Sequence, residues 1–102
     1  MAIRKATERF PRTGYGELKA QMTGSAESIS NNIVEGAGAS SRKEFARFLT
    51  MSIRSTMELE NQLQQALAYE ILPVEQWRAR TAETIEIRKM IYGYRSHVLE
   101  DS

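Results

Sequence analysis

Hydrophobic residues recur along the chain at spacings of three and four residues, without the alternation that is typical of strands. The segments that contain this pattern are rich in Ala, Glu, Gln, Arg, Leu and Met, which favour helix. Helix-breaking residues divide the chain at Pro11, Gly14 and Gly16, at 36–41 and at Pro73. The pattern predicts an all-α fold, a single domain over 1–102 with helices near residues 2–10, 15–36, 41–71 and 73–99.

The third predicted helix has the clearest pattern. Ser41 is followed three residues later by Glu44, which fits a capping box at the start of a helix. Its apolar stripe continues for about seven turns, so its partners must be comparably long. The stripe predicts a helical bundle whose core contains Phe45, Phe48, Leu49, Ser52, Thr56, Leu59, Leu63, Ala66 and Leu67.

The fourth predicted helix is apolar over more than one face. Proline at its first position fits a helix start, because the missing amide would have no partner there. The extra apolar residues indicate either a wide arc that faces the core or a second surface used in self-association. Apolar residues that do not fit on a single core face should not remain exposed to water as a large patch. The candidate oligomer interface is therefore Ile53, Met57, Val74, Trp77, Ile85 and Met90.

The segment 25–36 has helical spacing but an excess of small polar residues. Ser28, Asn32 and Glu35 lie beside its apolar stripe at steps of three and four residues. Polar groups near a helix–helix contact must find hydrogen-bond partners. We predict a structural polar network of Ser28, Asn32 and Glu35, with a functional pocket and a polar oligomer contact as alternatives.

Composition excludes several kinds of chemistry. The absence of cysteine removes disulfides, thiolate nucleophiles and cysteine-based metal sites. A single histidine argues against a histidine-rich metal site or a Ser-His-Asp triad. No apolar run approaches the roughly 20 residues of a membrane span, and the charged start lacks the apolar stretch of a signal peptide. We expect a cytoplasmic protein that is not an enzyme, with no catalytic residues, metal or cofactor and no membrane partner.

Fourteen Lys and Arg residues nearly balance thirteen Asp and Glu, so local clusters of charge matter more than the net charge of +1. Lys43, Arg47 and Arg54 fall within about 40° of one another on the third helix, opposite the core stripe. Glu44 and Glu58 are expected to lie too far around the helix to neutralise this stripe. The clusters are either solvated faces or phosphate-binding surfaces. The candidate nucleic-acid-binding residues are Lys43, Arg47, Arg54, Arg42, Arg9 and Arg12.

Several motifs between residues 10 and 72 carry a resemblance to a known family. They are Phe10-Pro11, Tyr15, Leu18 and Gln21; Ser-Ile-Ser-Asn-Asn-Ile-Val-Glu-Gly at 28–36; Ser-Ser-Arg-Lys-Glu-Phe-Ala-Arg-Phe-Leu at 40–49; and Glu-Leu-Glu-Asn-Gln-Leu at 58–63. In order and spacing they resemble the small bacterial four-helix-bundle proteins that are encoded by intervening sequences in 23S ribosomal RNA genes.

This resemblance implies an antiparallel up-down four-helix bundle, here with a shortened first helix, that assembles into a ring of about five subunits. A similar ring in the accessory variability determinant proteins of diversity-generating retroelements resembles an adaptor that holds a reverse transcriptase and its template through a basic surface. The resemblance therefore implies an oligomeric scaffold whose partners are RNA or DNA and a protein such as a reverse transcriptase. The alternative is a structural or protein-only adaptor oligomer that does not bind nucleic acid.

Two positions depart from the family pattern. Thr23-Gly24 stands where the family often has two arginines, which weakens a nucleic-acid role for that face. Ser30 stands where the family has proline, so a kink expected there should be absent. Among the aromatic residues, Phe45 and Phe48 are predicted to be structural, and Tyr92 is the best exposed candidate for stacking on a base.

Overall fold

The computed structural model describes residues 2–8, 10–11 and 14–100, and this part of the chain contains four α-helices and no strand. The helical bundle predicted from the sequence is confirmed. The molecule is elongated, with extents of 48 × 20 × 17 Å. The first helix is shorter than the predicted 2–10. The helices are α1 (Ile3–Thr7), α2 (Gly16–Ala37), α3 (Arg42–Ala68) and α4 (Val74–Glu100).

The central helix of the bundle is α3, because it packs against α2 on one side and α4 on another. The sequence predicted one core stripe for this helix and left Ile53 outside it. Ile53 is only 4% exposed, so it lies in the core of a single chain and leaves the candidate oligomer interface. The buried residues of α3 are Ala46, Leu49, Ser52, Ile53, Ser55, Thr56, Leu59, Leu63 and Ala66.

The contact between α2 and α3 is made by small residues. A Cβ atom on Gly36 would lie 2.8 Å from Cδ1 of Phe45 and 2.9 Å from Cβ of Phe48, so only glycine fits. The buried Ser52 hydroxyl donates a hydrogen bond to the backbone oxygen of Ile29 at 2.7 Å. We call this contact the α2–α3 seam; it comprises Ser28, Ile29 and Gly36 of α2 and Phe45, Phe48, Ser52 and Ser55 of α3.

Helix α2 is continuous through Ser30, as the absence of proline there predicted. The Ser30 hydroxyl donates to the backbone oxygen of Glu27 at 3.2 Å, a local bond that leaves the helix intact. A Cβ atom on Gly24 would meet no atom within 4 Å. The glycine in this unusual Thr-Gly pair therefore serves no packing purpose within the chain.

Helix α3 ends at Ala68, three residues before its predicted end at 71. Glu70 adopts a left-handed φ of 59°. Its amide donates to the backbone oxygen of Leu67 at 2.9 Å, and the amide of Ile71 donates to that of Ala66 at 3.1 Å. These two bonds form a Schellman motif, which stops the helix with glutamate in a position that usually holds glycine.

Helix α4 is the least buried of the long helices. Only Thr84, Ile91 and Val98, at intervals of seven residues, are buried along it. Met90 and Val74 are 66% and 53% exposed. The seven-residue interval shows that α4 is held along one narrow line, so much of its apolar surface faces outward.

The short α1 lies beside the middle of α2 and also approaches α4. Ile3 is 1% exposed, and it lines a cavity that also includes Ala26 of α2 and Ile87 of α4. An ion pair of 2.7 Å between Arg4 and Glu27 ties α1 to α2. Large apolar side chains are exposed on both α2 and α4: Val34, Met90 and Tyr94 are 71%, 66% and 50% exposed.

Candidate nucleic-acid interface

The start of α3 and the end of α4 together form a basic groove. Arg95 of α4 donates from Nε to the hydroxyl oxygen of Thr50 at 2.8 Å, which places its guanidinium beside the α3 stripe. Lys43, Arg47 and Arg95 all line one depression of about 350 Å³. We call this surface the α3–α4 groove; its lining residues are Ser41, Lys43, Glu44, Ala46, Arg47, Thr50, Arg95 and Leu99.

Arg95 is the groove residue that sequence reasoning missed. Acidic residues are interleaved with the cations of the fourth helix, so the charge pattern of that helix does not single out Arg95. The contact that brings it into the groove joins residues 45 positions apart. Only the antiparallel pairing of α3 with α4 could have revealed this contact from the sequence.

The α3 stripe is partly neutralised, contrary to the sequence-based expectation. Nε of Arg47 donates to a carboxylate oxygen of Glu44 at 3.1 Å, and the same two side chains form a short ion pair. This hydrogen bond is the main reason that the pKa of Glu44 lies below its ordinary value and the pKa of Arg47 above its own. The Arg47 guanidinium also lies 4.8 Å from the centre of the Phe48 ring, so its direction is fixed.

The other predicted cations of α3 lie on its surface. Lys43, Arg54 and Arg42 are exposed. From Lys43 to Arg54 the row extends about 16 Å along the helix axis. Of the predicted amino-terminal pair, Arg9 and Arg12 fall outside the described residues. The described candidates therefore make one elongated basic surface on α3, which Arg95 widens toward α4.

Farther along the same two helices the charges are balanced. Arg88 of α4 and Glu60 of α3 form an ion pair at 2.6 Å, with side chains 18% and 38% exposed. The pair lines a second depression of about 450 Å³ with Met57, Asn61 and Gln64. Positive charge is therefore concentrated where α3 begins.

The predicted polar network lies in the α2–α3 seam. Nδ2 of Asn32 donates to the backbone oxygen of Ser28 at 2.8 Å and to its hydroxyl oxygen at 3.0 Å. The Ser55 hydroxyl donates to the Ser28 hydroxyl oxygen at 2.8 Å, which joins the two helices. Glu35 is exposed, and within the described ranges its side chain takes no part in these bonds.

The candidate oligomer-interface residues separate into exposed and packed groups. Val74, Met90 and Met57 are 53%, 66% and 48% exposed. Trp77 and Ile85 are half-buried, and Trp77 packs against the core of its own chain. Val74 and Met90 point to nearly opposite sides of α4, since 16 residues at 100° each leave them about 160° apart.

Among the described residues, no three or more His, Cys, Asp or Glu side chains come together in a way that could hold a metal ion. The same part of the chain contains no helix with the length and apolarity needed to cross a membrane. The groove brings together the cationic groups of Lys43, Arg47 and Arg95, and α4 adds exposed apolar side chains.

A family model described as 23S rRNA-intervening sequence protein matches residues 1–93. The match covers α1, α2 and α3 and continues through most of α4, up to Gly93. A search of curated proteins finds no match. The resemblance seen in the sequence motifs therefore extends into the fourth helix.

Proposed function

The chain belongs to the family of 23S rRNA-intervening sequence proteins, and we propose that it is a non-enzymatic oligomeric scaffold that binds nucleic acid through the α3–α4 groove. One observation carries this proposal: Lys43 and Arg47 of α3 converge with Arg95 of α4 on a single depression. Guanidinium and ammonium groups that surround a groove are suited to contact with phosphate oxygens.

Oligomerisation would multiply this modest charge. One copy presents only a few cations, and Glu44 partly neutralises Arg47. Phosphate contacts give an affinity that falls steeply as salt rises. Several linked grooves bind together far more tightly than one groove does, because later contacts form at a high effective concentration. The proposal therefore joins the groove to an assembly.

The exposed apolar residues support such an assembly. Met90 and Tyr94, four residues apart on one face of α4, are both at least half exposed, and so is Val34 of α2. A second set, Met57, Val74 and Ile85, includes two exposed residues and the half-buried Ile85. Because Val74 and Met90 lie on nearly opposite sides of α4, two different apolar faces favour a head-to-tail contact, and repeated head-to-tail contacts can close into a ring. A ring of about five subunits is the arrangement that the family resemblance implies.

Binding can be tested by neutralising the α3 row. The variant Lys43→Gln/Arg47→Gln/Arg54→Gln and wild type are titrated with mixed RNA and with DNA by fluorescence anisotropy at several salt concentrations. The control is Lys19→Gln/Arg78→Gln/Lys89→Gln, which removes three exposed cations that do not line the groove. We expect the α3 variant to bind nucleic acid more weakly and with a smaller dependence on salt, and the control to keep the wild-type affinity and salt dependence. Equal losses in the two variants would reject the groove as the site.

Assembly can be tested by light scattering after size exclusion. We expect wild type to elute as a closed oligomer and Met90→Glu and Val74→Glu each to lower its mass, because a buried carboxylate in either patch is costly. The control is Gln64→Glu, which adds the same charge at an exposed polar position. A strictly monomeric wild type would refute the assembly.

A second candidate function is a protein-only adaptor, whose partner would be a protein such as a reverse transcriptase. The net charge of +1 and the exposed apolar patches favour this alternative. An oligomer that ignores RNA and DNA at every salt concentration would support the adaptor over the nucleic-acid scaffold.

A further inference from the structure

Tyr92 lies in a row of α4 residues that borders α3. Arg88, Tyr92 and Arg95 follow one another at steps of four and three residues, within an arc of about 60°. Arg88 contacts Glu60 and Arg95 contacts Thr50, so this row faces the side of α4 next to α3. Tyr92 is therefore placed between two arginines that both reach toward α3.

The ring of Tyr92 is available for a ligand. It is 46% exposed, and within the described ranges no ring contact or hydrogen bond involves it. The other three tyrosines each pack against an aromatic ring: Tyr94 lies 5.4 Å from Phe45, and Tyr15 lies 5.6 Å from Tyr69. Tyr92 thus differs from them in having no ring contact or hydrogen bond among the residues that the structure describes.

An exposed ring next to the cationic Arg95 can distinguish single strands from duplexes. Bases stack on aromatic side chains when their faces are free, and this stacking tolerates any sequence. In a duplex the faces are hidden between neighbouring base pairs, so only the phosphates and groove edges remain to be contacted. Arg95, held by Thr50, can contact a phosphate while an adjacent base lies on Tyr92.

We infer that the α3–α4 groove prefers single-stranded nucleic acid, with Tyr92 as the platform on which a base stacks. This inference rests on the proposed function, since it assumes that the groove binds nucleic acid. It adds a residue outside the basic row and a class of ligand that charge alone would not select.

The test compares Tyr92→Ala with Tyr92→Phe and Gln76→Ala. Phenylalanine keeps the ring, and Gln76→Ala shortens an exposed side chain on the opposite side of the same helix. Affinity is measured for an unstructured oligouridine and for its duplex with oligoadenine, at several salt concentrations. We expect Tyr92→Ala to bind oligouridine about tenfold more weakly, because one stacked base is lost. Tyr92→Phe and Gln76→Ala should bind oligouridine like wild type, and Tyr92→Ala should keep the wild-type salt slope and duplex affinity.

The outcomes separate this inference from the proposed function. If Tyr92→Ala binds oligouridine like wild type while the Lys43/Arg47/Arg54 variant does not, stacking is overturned and the scaffold proposal stands. If wild type binds the duplex as tightly as the single strand, the preference is overturned. If wild type binds neither, both proposals fail. If Tyr92→Ala changes the mass in light scattering, Tyr92 is a subunit contact and not a stacking platform.

Discussion

The two faces of α3 make different kinds of contact with their neighbouring helices. Toward α2, Ser52 and Ser55 donate short hydrogen bonds to the Ile29 backbone and to Ser28, and two phenylalanines of α3 pack closely on Gly36. Toward α4 the polar contacts are made by long arginine side chains, which reach Thr50 and Glu60. A tight contact fixes one arrangement of the backbones, whereas long side chains leave depressions between the helices. The first face thus specifies the fold, and the second leaves room for a ligand.

The largest expected effect comes from adding one methyl group to the α2–α3 seam. Gly36→Ala would place a Cβ within 3 Å of Phe45 and of Phe48 Cβ, so the helices would have to separate. We expect a loss of about 3 kcal/mol in the free energy of unfolding, measured in urea.

The matched controls are Gly24→Ala and Gly93→Ala, where a Cβ meets nothing within 4 Å. Each should stabilise the protein by up to about 1 kcal/mol through helix propensity. If all three variants changed stability in the same direction, the contrast between the tight seam and the open helix surfaces would fail.

A smaller effect is expected when one hydrogen bond is removed from the seam. Ser52→Ala deletes the buried donor to the backbone oxygen of Ile29 and should cost about 1 kcal/mol in urea unfolding. Ser30→Ala, in the same helical context but exposed, should change stability by less than about 0.5 kcal/mol. Equal losses in the free energy of unfolding for the two serine variants would mean that the hydrogen bond between the helices does not stabilise the α2–α3 seam.

On the α4 side of α3, the ion pair between Arg88 and Glu60 should contribute less to the free energy of unfolding than the Ser52 hydrogen bond does. A double-mutant cycle with Arg88→Ala and Glu60→Ala is expected to give a coupling of about 0.5 kcal/mol, because Glu60 is more than a third exposed and solvent screens the pair. The more exposed pair of Arg4 and Glu27 supplies the comparison cycle, with coupling near zero. A coupling above about 2 kcal/mol would show that this contact is as specific as the seam.

The smallest effect concerns the pH dependence of the pair in the groove. The hydrogen bond from Arg47 lowers the pKa of Glu44 in the folded state below its ordinary value of 4.5. The stabilisation of the folded state by ionised Glu44 is therefore fully present at pH values above that ordinary value. It is lost as the pH falls through the lowered folded-state pKa. The difference in unfolding free energy between wild type and Glu44→Gln, measured from neutral to acid pH, should shrink over that window. A difference that stayed constant would contradict the assignment.

The sequence predicted the features that depend on near neighbours. The Ser41 half of the predicted capping box is present, since the amide of Glu44 donates to the Ser41 hydroxyl oxygen at 3.1 Å, whereas the Glu44 carboxylate pairs with Arg47. Lys43 and Arg54 are exposed on one face, as their spacing required. Such features depend on the helix period and on residues within one turn, which a single sequence contains in full.

Other features were missed, either because they depend on packing between distant segments or because the spacing of residue types carries no signal for them. An apolar stripe on a helix is assigned on the assumption that the core lies in one direction. Helix α3 has two partners, so this assumption left Ile53 outside its core. A helical projection also separated Glu44 from Arg47, although a long side chain spans neighbours at i and i+3. The early end of α3 relies on a left-handed Glu70, for which the sequence offers no glycine signal.

The narrow line that holds α4 determines how the bundle opens. Helices held by few buried groups exchange their amide protons through local opening, before the molecule unfolds as a whole. Detachment of α4 would leave the α2–α3 seam intact but would separate Arg95 from Lys43 and Arg47, dismantling the groove. If a nucleic-acid strand binds across both helices as proposed, it should hold α4 in place, and deuterium uptake should slow in α4 while the rate in α2 stays unchanged.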